Sequence, residues 1–500
     1  MSGIRVTYSG LISLGVGLVS VFTGIIFTLI VTRQLSPEEF GTWNLIGSLI
    51  LYVLIAEPII SYWATRQIAR GVESGRTAIF SSGIFSIVGS LAYILITYFV
   101  SGQVNADKNV LVFATILIPL LFINRTLTAI NLGWRPQATS YGILGFEISK
   151  IPIALLLVYF LETGIYGAIA STAFGYIVSS IILAYYSKEK LKASFRIDFL
   201  KRWIKLSWIP MYPGIGVFIY SLDVLIFSLV TGSVIGLAYY SAALAIAALV
   251  GHSGMMSQAL YAKLLEGGRR SHLGENLIRF FYFGIPLSAI SIVFAKSALF
   301  ALNPLYIIAV PVVIIMSIRG FIYQIIGIFD QSLQGIEEVD INENSKFNDF
   351  LKSKLFFLPT LRLIRFCSNT AVLTIVLIIL QSYNFEQIDL IISWAILSLI
   401  IEIPFLFYLS SLIKKNFILN LPIDSIVKYS ASAVIIFVMI FLLMENYLEY
   451  QNQIFIFLPN VIIYLSLGVS LYLGVTYFID ERTKKLFNSI LSELRNIRRQ

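Results

Sequence analysis

The sequence predicts an all-α membrane protein in which about fourteen helices cross the bilayer. Of its 500 residues, 58% are hydrophobic and only 13% are charged, and the mean hydropathy is +0.85. A soluble domain carries about 25% charged residues. Because the apolar residues are spread along the whole chain, the composition indicates many spans and not a soluble domain with one anchor.

The individual spans follow from apolar runs, since a hydrocarbon core takes about 20 apolar residues per helix. We place these runs at 10–31, 43–62, 78–100, 110–130, 139–161, 165–186, 207–230, 235–258, 279–302, 305–329, 356–380, 388–410, 428–446 and 454–479. Pro304 and Pro311 interrupt the tenth run. We expect no cleavable signal peptide, because the first run has spanning length and no small-residue cleavage site before a polar domain.

Basic residues fall on alternate connections between the runs. These connections contain Arg66, Arg70 and Arg76; Lys188, Lys190, Lys192, Arg196, Lys201, Arg202 and Lys205; Lys263, Arg269 and Arg270, with Arg279 at the edge; Lys346, Lys352 and Lys354, then Arg362 and Arg365 near the start of the next run; Lys414 and Lys415; and Arg482, Lys484, Lys485, Arg495, Arg498 and Arg499. The other connections carry only Arg33 and Lys108. The positive-inside rule therefore predicts a multi-pass protein of the cell membrane with both termini in the cytoplasm.

The basic residues of the cytoplasmic connections also explain the net charge of +9 and the pI of about 9.3. We expect no nucleic-acid partner, because the chain has no soluble module with a basic patch and interleaved aromatic residues.

The basic connection after the sixth run divides the first twelve helices into two groups of six. The predicted organisation is an N-terminal six-helix lobe at 1–187, a basic connector at 188–205, a C-terminal six-helix lobe at 206–412 with a cytoplasmic insert at 331–354, helices 13 and 14 at 413–479, and a basic amphipathic tail at 480–500. Six is an even number, so the two lobes would be parallel repeats. The insert is either a surface helix or a loose linker, and the tail is expected on the inner leaflet.

The connection between the first two runs has a helix-start pattern. Ser36 is the expected N-cap, Pro37 occupies the first helical position, and Glu39 is the acid of a capping box. Arg33 lies at the end of the first run, where its side chain either faces a wet interior or reaches the membrane interface.

Charged residues inside apolar runs are the candidate functional residues, because charges are costly in lipid. They are Arg33, Glu57, Arg125, Glu147, Lys150, Asp223, Lys296, Arg319 and Glu402. Each also has a structural interpretation. Arg33 and Arg125 can snorkel to an interface, Glu57 can pair with Arg66, and Glu147 can neutralise Lys150 three residues away. The Lys296 side chain can reach the outer membrane interface, and Glu402 can interact with neighbouring helices.

Asp223 is the strongest single candidate. It lies deep in the seventh run, beside Tyr220 and Val224, with no basic residue nearby in sequence. A carboxylate at that depth needs a cation, a proton or a water-filled cavity.

Enzymatic chemistry has little support in the sequence. The chain has one cysteine, Cys367, and two histidines, His252 and His272, without metal-ligand spacing. We find no phosphate-binding loop and no catalytic motif, and we expect no cofactor.

Two stretches resemble a known family. Residues 27–43 read FTLIVTRQLSPEEFGTW, and residues 236–243 read GLAYYSAA after the membrane aspartate Asp223. Both are similar to patterns in polysaccharide-export flippases of the multidrug/oligosaccharidyl-lipid/polysaccharide (MOP) exporter superfamily. Ala238 and the doubled tyrosine depart slightly from the family pattern.

The resemblance implies a transporter that flips a lipid-linked oligosaccharide or polysaccharide repeat unit to the outer leaflet by alternating access. It implies two lobes around a central cavity bordered by Arg33 and Asp223, with helices 13 and 14 forming a groove for the lipid tail. The implied substrate is a polyprenyl or dolichyl (pyro)phosphate-linked glycan. Membrane lipids and glycan-assembly enzymes are the other expected partners, and coupling to H⁺ or Na⁺ is left open.

Two alternatives remain at this point. A cation-coupled multidrug antiporter of the same superfamily typically has twelve helices. A membrane glycan ligase or glycosyltransferase would need a sizeable outer loop with acidic or histidine chemistry.

Overall fold

The computed structural model describes residues 23–24, 26–257, 272–337, 339, 347–417 and 421–485. Within these ranges all regular secondary structure is helical. The predicted all-α class is therefore confirmed.

Thirteen helical segments in the described ranges are long and apolar enough to cross a membrane. They are Pro37–Ala56, Gly75–Ser101, Lys108–Trp134, Gln137–Phe160, Gly164–Ser187, Gly214–Thr231, Ile235–Gly254, Leu273–Val293, Pro304–Gly335, Lys354–Ser382, Gln387–Asn416, Ile423–Tyr447 and Ile454–Ile479. Each overlaps one of the predicted runs from the second to the fourteenth. The first predicted run lies mostly outside the described residues, so the total of fourteen stays a prediction.

The chain forms two compact units. Unit 1 comprises Met1–Ala238 and Thr370–Leu390, and unit 2 comprises Tyr239–Asn369 and Ile391–Gln500. The segment boundaries and the repeat relationship expected from the sequence stay predictions.

Unit 1 is built from helices that follow one another along the N-terminal part of the chain. Residues 26–34 are helical, and they precede α1 (Pro37–Val53), α2 (Pro58–Ala69), α3 (Gly75–Ser101), α4 (Lys108–Phe113), α5 (Leu117–Trp134), α6 (Gln137–Ala154), α7 (Gly164–Ser187), α8 (Ile197–Lys205) and α9 (Trp208–Thr231). The next helix, α10 (Ile235–Ala247), begins in unit 1 and continues into unit 2.

The start of α1 has the predicted capping box. The Ser36 hydroxyl accepts a hydrogen bond from the Glu39 amide at 3.2 Å, and the Glu39 carboxylate accepts one from the Ser36 amide at 3.0 Å. The other Glu39 oxygen accepts the amide of Ile165 at 3.3 Å. Gly164 has φ +59°, and a Cβ there would collide with this carboxylate. One side chain therefore satisfies orphan amides at the starts of both α1 and α7.

The predicted basic connector contains an ordered amphipathic helix, α8. Leu200 and Trp203 are buried, and Trp203 packs in a cluster with Ile60 and Ile130. Lys201, Arg202 and Lys205 are exposed on the same short helix. Apolar burial therefore fixes the connector against unit 1 while its cations remain accessible.

Unit 2 contains the 3₁₀ segments Ala248–Ser257 and Pro304–Ala309 and the remaining α-helices of the described residues. These α-helices are α11 (His272–Val293), α12 (Ala295–Leu302), α13 (Val310–Gly335), α14 (Phe347–Lys352), α15 (Lys354–Ser382), α16 (Gln387–Asn416), α17 (Ile423–Tyr447) and α18 (Ile454–Ile479). Parts of α15 and α16 belong to unit 1. Buried apolar side chains such as Phe280 on α11, Ile326 on α13 and Ile413 on α16 form one core cluster.

Two predicted cytoplasmic segments are described only in part. In the insert, α13 continues to Gly335, α14 is a short helix, and the Glu337 carboxylate accepts the Lys354 amide at 2.9 Å. Residues 338 and 340–346 lie outside the described ranges. In the tail, residues 481–485 are helical and residues 486–500 lie outside the described ranges.

Candidate functional site: charged clusters within the membrane helices

Three buried charged residues meet in unit 2. Arg319 on α13 lies 3.4 Å from one carboxylate oxygen of Glu402 on α16. Arg365 on α15 lies 2.9 Å from the other oxygen. The exposed fractions of Arg319, Arg365 and Glu402 are 7%, 5% and 2%. One carboxylate is thus shared by two guanidiniums in the interior of the helix bundle.

Helical spacing aligns further groups with this cluster. Tyr323 follows Arg319 by four residues and therefore lies on the same face of α13. The Arg365 guanidinium lies 5.2 Å from the centre of the Tyr323 ring, within the range of a cation–π contact. Aromatic packing and the shared carboxylate together fix the orientation of Arg365.

A second ion pair lies next to the first cluster. Arg362, one turn before Arg365 on α15, pairs with Asp330 on α13. The Gln334 amide also donates to the Asp330 carboxylate, at 3.2 Å. Asp330 is buried, whereas the Arg362 side chain is 41% exposed. This second pair is therefore nearer to solvent than the first.

Both clusters border one cavity of about 230 Å³. Its polar lining consists of Tyr323, Gln324, Asp330, Gln331, Arg362 and Arg365. The Nε of Arg365 is buried without a hydrogen-bond acceptor among the described residues. Two arginines and one carboxylate, Asp330, therefore line the cavity.

The two clusters carry a surplus of positive charge. Three guanidiniums face two carboxylates, namely Arg319, Arg362 and Arg365 against Asp330 and Glu402. A net charge in a medium of low dielectric constant is costly unless a counter-ion or water reaches it. An anion with several oxygens, such as a phosphate, suits arginine because it accepts two parallel hydrogen bonds.

Unit 1 has a larger cavity, of about 430 Å³, between α1, α5 and α7. Its polar lining includes Asn44, Ser48, Arg125, Thr172 and Tyr176. Arg125, a sequence candidate, is half-buried at this cavity. The structure therefore places one candidate arginine beside open space in unit 1.

Glu147 and Lys150 form the ion pair that the sequence left as one of two interpretations. The Lys150 ammonium lies 3.0 Å from the Glu147 carboxylate, and both residues are buried. The ammonium also lies 4.6 Å from the Phe27 ring centre and 4.5 Å from that of Phe146. Mutual neutralisation and two cation–π contacts stabilise this pair without any ligand.

Asp223 and Glu57 are buried in unit 1. Asp223 is 4% exposed, and one carboxylate oxygen accepts the Val224 amide at 2.8 Å. Glu57 is 3% exposed and accepts the Ser61 hydroxyl at 3.2 Å. The suggested partner of Glu57, Arg66, instead donates to the Tyr62 hydroxyl at 2.8 Å.

The last two candidates are more accessible. Arg33 is half-buried. Lys296 is exposed, with its ammonium 5.0 Å from the ring centre of Tyr450. Of the nine candidates chosen from sequence, Lys296, Arg319 and Glu402 belong to unit 2 and the other six to unit 1. Roles in substrate binding stay predictions for all of them.

Arg365 was not among the candidates chosen from sequence. The basic pattern grouped it with Arg362 near a connection, because the positive-inside rule does not report the depth of a side chain. The available signal was that Arg365 falls ten residues into the apolar run 356–380 and three residues after Arg362. That spacing places both arginines on one helix face.

The structure is similar to solved structures of membrane transporters. The lipid II flippase MurJ in an inward closed conformation matches with a TM-score of 0.66 and 16% identity, over 94% of this chain and 99% of that chain. An inward-facing multidrug resistance MATE family transporter of the MOP superfamily matches with a TM-score of 0.57 and 14% identity, over 81% and 98%. A MATE structure in complex with MaL6 has a TM-score of 0.50 and 14% identity, over 82% and 96%.

No protein-family model and no curated protein matches the sequence. At identities of 14–16%, the structural similarities establish the fold. The described chain is a polytopic helical membrane protein, and it shares its fold with the lipid II flippase and MATE structures. The all-α polytopic fold that the sequence predicted is thereby confirmed, whereas the central cavity and the lipid groove stay predictions.

Proposed function

We propose that this protein flips a lipid-linked oligosaccharide or polysaccharide repeat unit between the leaflets of the cell membrane. The observation that carries the proposal is the similarity to the lipid II flippase over 94% of this chain, at a TM-score of 0.66. The similarity to the MATE transporter covers a smaller share of the chain, 81%, at a lower TM-score. The flippase is therefore the better guide to the substrate class.

The charge surplus in unit 2 supports an anionic head group. A polyprenyl or dolichyl (pyro)phosphate glycan carries negative charge and sugar hydroxyls, neither of which crosses hydrocarbon unaided. Arg365 combines a buried guanidinium, a donor without an acceptor among the described residues and a place at a cavity wall. We assign this arginine to the phosphate of the head group.

The membrane potential gives such a substrate a direction. Moving one charge through 100 mV is worth about 2.3 kcal/mol. With both termini in the cytoplasm, as the basic connections predict, an inside-negative potential favours outward movement of an anionic head. Coupling to H⁺ or Na⁺ is a second way to drive the head group outward.

The proposal is tested with purified protein in proteoliposomes. A fluorescent polyprenyl pyrophosphate oligosaccharide is placed in both leaflets, and a membrane-impermeant quencher reports the accessible fraction. We expect the protein to make the inner-leaflet fraction accessible, whereas fluorescent phosphatidylcholine, as the matched control lipid, stays protected. Folded protein that transfers no lipid-linked oligosaccharide would contradict the proposal.

A cation-coupled multidrug antiporter is the second candidate, because two MATE structures share the fold. Proton or sodium flux that depends on a cationic drug would support this alternative. A new covalent product from glycan donor and acceptor would instead indicate a ligase or glycosyltransferase.

Arg33 and Asp223 remain the proposed cavity residues of unit 1. We expect Arg33→Ala and Asp223→Ala to impair export while the protein still accumulates in the membrane. Normal export by both variants would remove these residues from the site and leave the proposed substrate class intact.

A further inference from the structure

A second cationic pocket lies in unit 2, apart from the cavity at Arg365. It has a volume of about 390 Å³. Its lining comprises Glu275, Ile278 and Arg279 from α11, Tyr429 from α17, and Arg482, Thr483 and Lys485 directly after α18, with Tyr282 also from α11. Three cations and one carboxylate therefore line this pocket, so its lining is positively charged.

Asp480 fixes the backbone that carries two of the cations. Its carboxylate accepts the Ser425 hydroxyl at 3.0 Å, the Tyr429 hydroxyl at 2.7 Å, and both the amide and the hydroxyl of Thr483 at 3.0 Å. The bond to the Thr483 amide is an N-cap for the helical residues 481–485.

The N-cap also sets which residues face the pocket. Arg482 and Lys485 are three residues apart on this helix and therefore share one face. Both line the pocket together with Arg279. Arg482 and Lys485 are thus placed by a buried carboxylate that accepts hydrogen bonds from neutral donors.

The carboxylate remains ionised in this setting. Burial opposes the charged form, but the hydrogen bonds from Tyr429, Thr483 and Ser425 outweigh burial and keep the pKa of Asp480 below its usual value.

Two packed tyrosines, Tyr282 and Tyr429, belong to the lining of the pocket. The rings of Tyr282 and Tyr429 meet edge to face with their centres 5.0 Å apart. The Tyr472 hydroxyl donates to the backbone carbonyl of Tyr282 at 3.0 Å. All three tyrosines are at most 2% exposed. The lining of the pocket therefore combines packed aromatic rings with three cations.

The position along the helices places this pocket at the membrane surface. Its residues lie near the start of the spans Leu273–Val293 and Ile423–Tyr447 and directly after the end of Ile454–Ile479. Tyrosine is enriched at the membrane–water interface, and lysine and arginine near helix ends reach the lipid phosphates there. The charge of the pocket is complementary to those phosphates.

We propose that this pocket binds the phosphate headgroup of an anionic membrane lipid, with Arg279, Arg482 and Lys485 as the phosphate ligands. The bound lipid would tie the ends of α11, α17 and α18 together at one surface of the bilayer. This site is independent of the transported substrate and of the cavity at Arg365.

The test is lipid titration of the full-length protein followed by native mass spectrometry. Dioleoyl phosphatidylglycerol is the anionic probe and dioleoyl phosphatidylcholine the zwitterionic one. Each basic residue near a membrane surface contributes on the order of 1 kcal/mol to attraction of anionic lipid, so we expect a preference of about tenfold or more for phosphatidylglycerol. The combined variant Arg279→Gln, Arg482→Gln and Lys485→Gln should lose that preference.

The matched control removes the same charge elsewhere in unit 2. Lys352, Lys414 and Lys415 are exposed, and their combined replacement by Gln should leave the preference unchanged. Equal losses in the two triple variants would overturn the site, because attraction would then depend on total charge alone. If the pocket variant does not fold, the double variants Arg482→Gln with Lys485→Gln and Lys414→Gln with Lys415→Gln make the same comparison.

Inorganic phosphate distinguishes a lipid site from a free-anion site. We expect phosphate at the same concentration as the lipid to leave phosphatidylglycerol bound. Displacement of the lipid under these conditions would overturn the assignment to a lipid headgroup.

Discussion

The two units of the molecule bury charge in different ways. In unit 1, Glu147 and Lys150 lie one turn apart on one helix and neutralise each other at 3.0 Å. In unit 2, Arg319, Arg365 and Glu402 come from three helices, and the positive charges outnumber the negative one. The first arrangement pairs one positive charge with one negative charge, whereas the second brings two positive charges to one carboxylate. A buried charge therefore indicates function most strongly where the local sum of charges is not zero.

The largest expected effect is the loss of the shared carboxylate in unit 2. Glu402→Gln leaves two buried guanidiniums facing each other without an anion between them. Breaking a buried ion pair by removing one partner costs about 3–5 kcal/mol. We expect a lower free energy of unfolding in denaturant titrations and less folded protein after purification.

Glu445→Gln is the control for this change, because Glu445 is exposed on α17. If Glu402→Gln were as stable as Glu445→Gln, the shared carboxylate would not hold the three helices together.

A smaller effect is expected for the balanced pair in unit 1. Lys150→Met leaves the buried Glu147 carboxylate without its cation, and Glu147→Gln leaves the ammonium without its anion. Combining both changes removes the pair as a whole, so the double variant should be more stable than the sum of the single effects predicts. A coupling free energy of about 0.5–3 kcal/mol is expected from a double-mutant cycle.

The same double variant should retain transport, because the pair is complete without a ligand. Additive single effects, or loss of transport in a stable double variant, would show that Glu147 and Lys150 act on the substrate.

The smallest expected effect is the loss of the Asp480 carboxylate, which accepts hydrogen bonds from neutral donors. The pKa of Asp480 is lowered in the folded protein, so its ionised form contributes stability that is fully present above the unfolded-state pKa of about 3.9. This contribution is lost as the pH falls through the folded-state pKa. The stability difference between wild type and Asp480→Asn should be constant at neutral pH and shrink below about pH 4.

Thermal unfolding of both proteins across pH 3–7 gives this difference, and Asp424→Asn, at an exposed acid, is the control. A difference that grows on acidification would contradict the ionised state of Asp480.

Local sequence patterns predicted the positions of the membrane spans better than they predicted the charged clusters. The capping box of Ser36 and Glu39 was predictable because its partners are three residues apart and its chemistry is local. The pairing of Glu147 with Lys150 was among the stated alternatives for the same reason. The second contact of Glu39, to the start of α7, was not predictable, because its partner Ile165 is remote in sequence.

The contacts of the charged cluster in unit 2 could not be predicted from the sequence. Glu402 and Arg319 were recognised as buried charges, but they are separated by 83 residues and Glu402 and Arg365 by 37. Apolar periodicity gives the span of each helix but not its rotation or its neighbours. Arg365 was therefore grouped with interfacial cations, although only 5% of it is exposed.

The central claim is that the surplus positive charge of unit 2 binds the anionic head group during transport. Its most direct test is the transfer rate of fluorescent lipid-linked oligosaccharide by Arg365→Gln in proteoliposomes. This variant leaves Arg319 paired with Glu402, so the protein should stay folded. Because a hydrogen bond to a charged group is worth about 1.5–3 kcal/mol, we predict a rate lowered by about tenfold or more. Arg135→Gln, at the exposed pair with Glu189, should transfer at the wild-type rate, and equal rates for the two variants would contradict the claim.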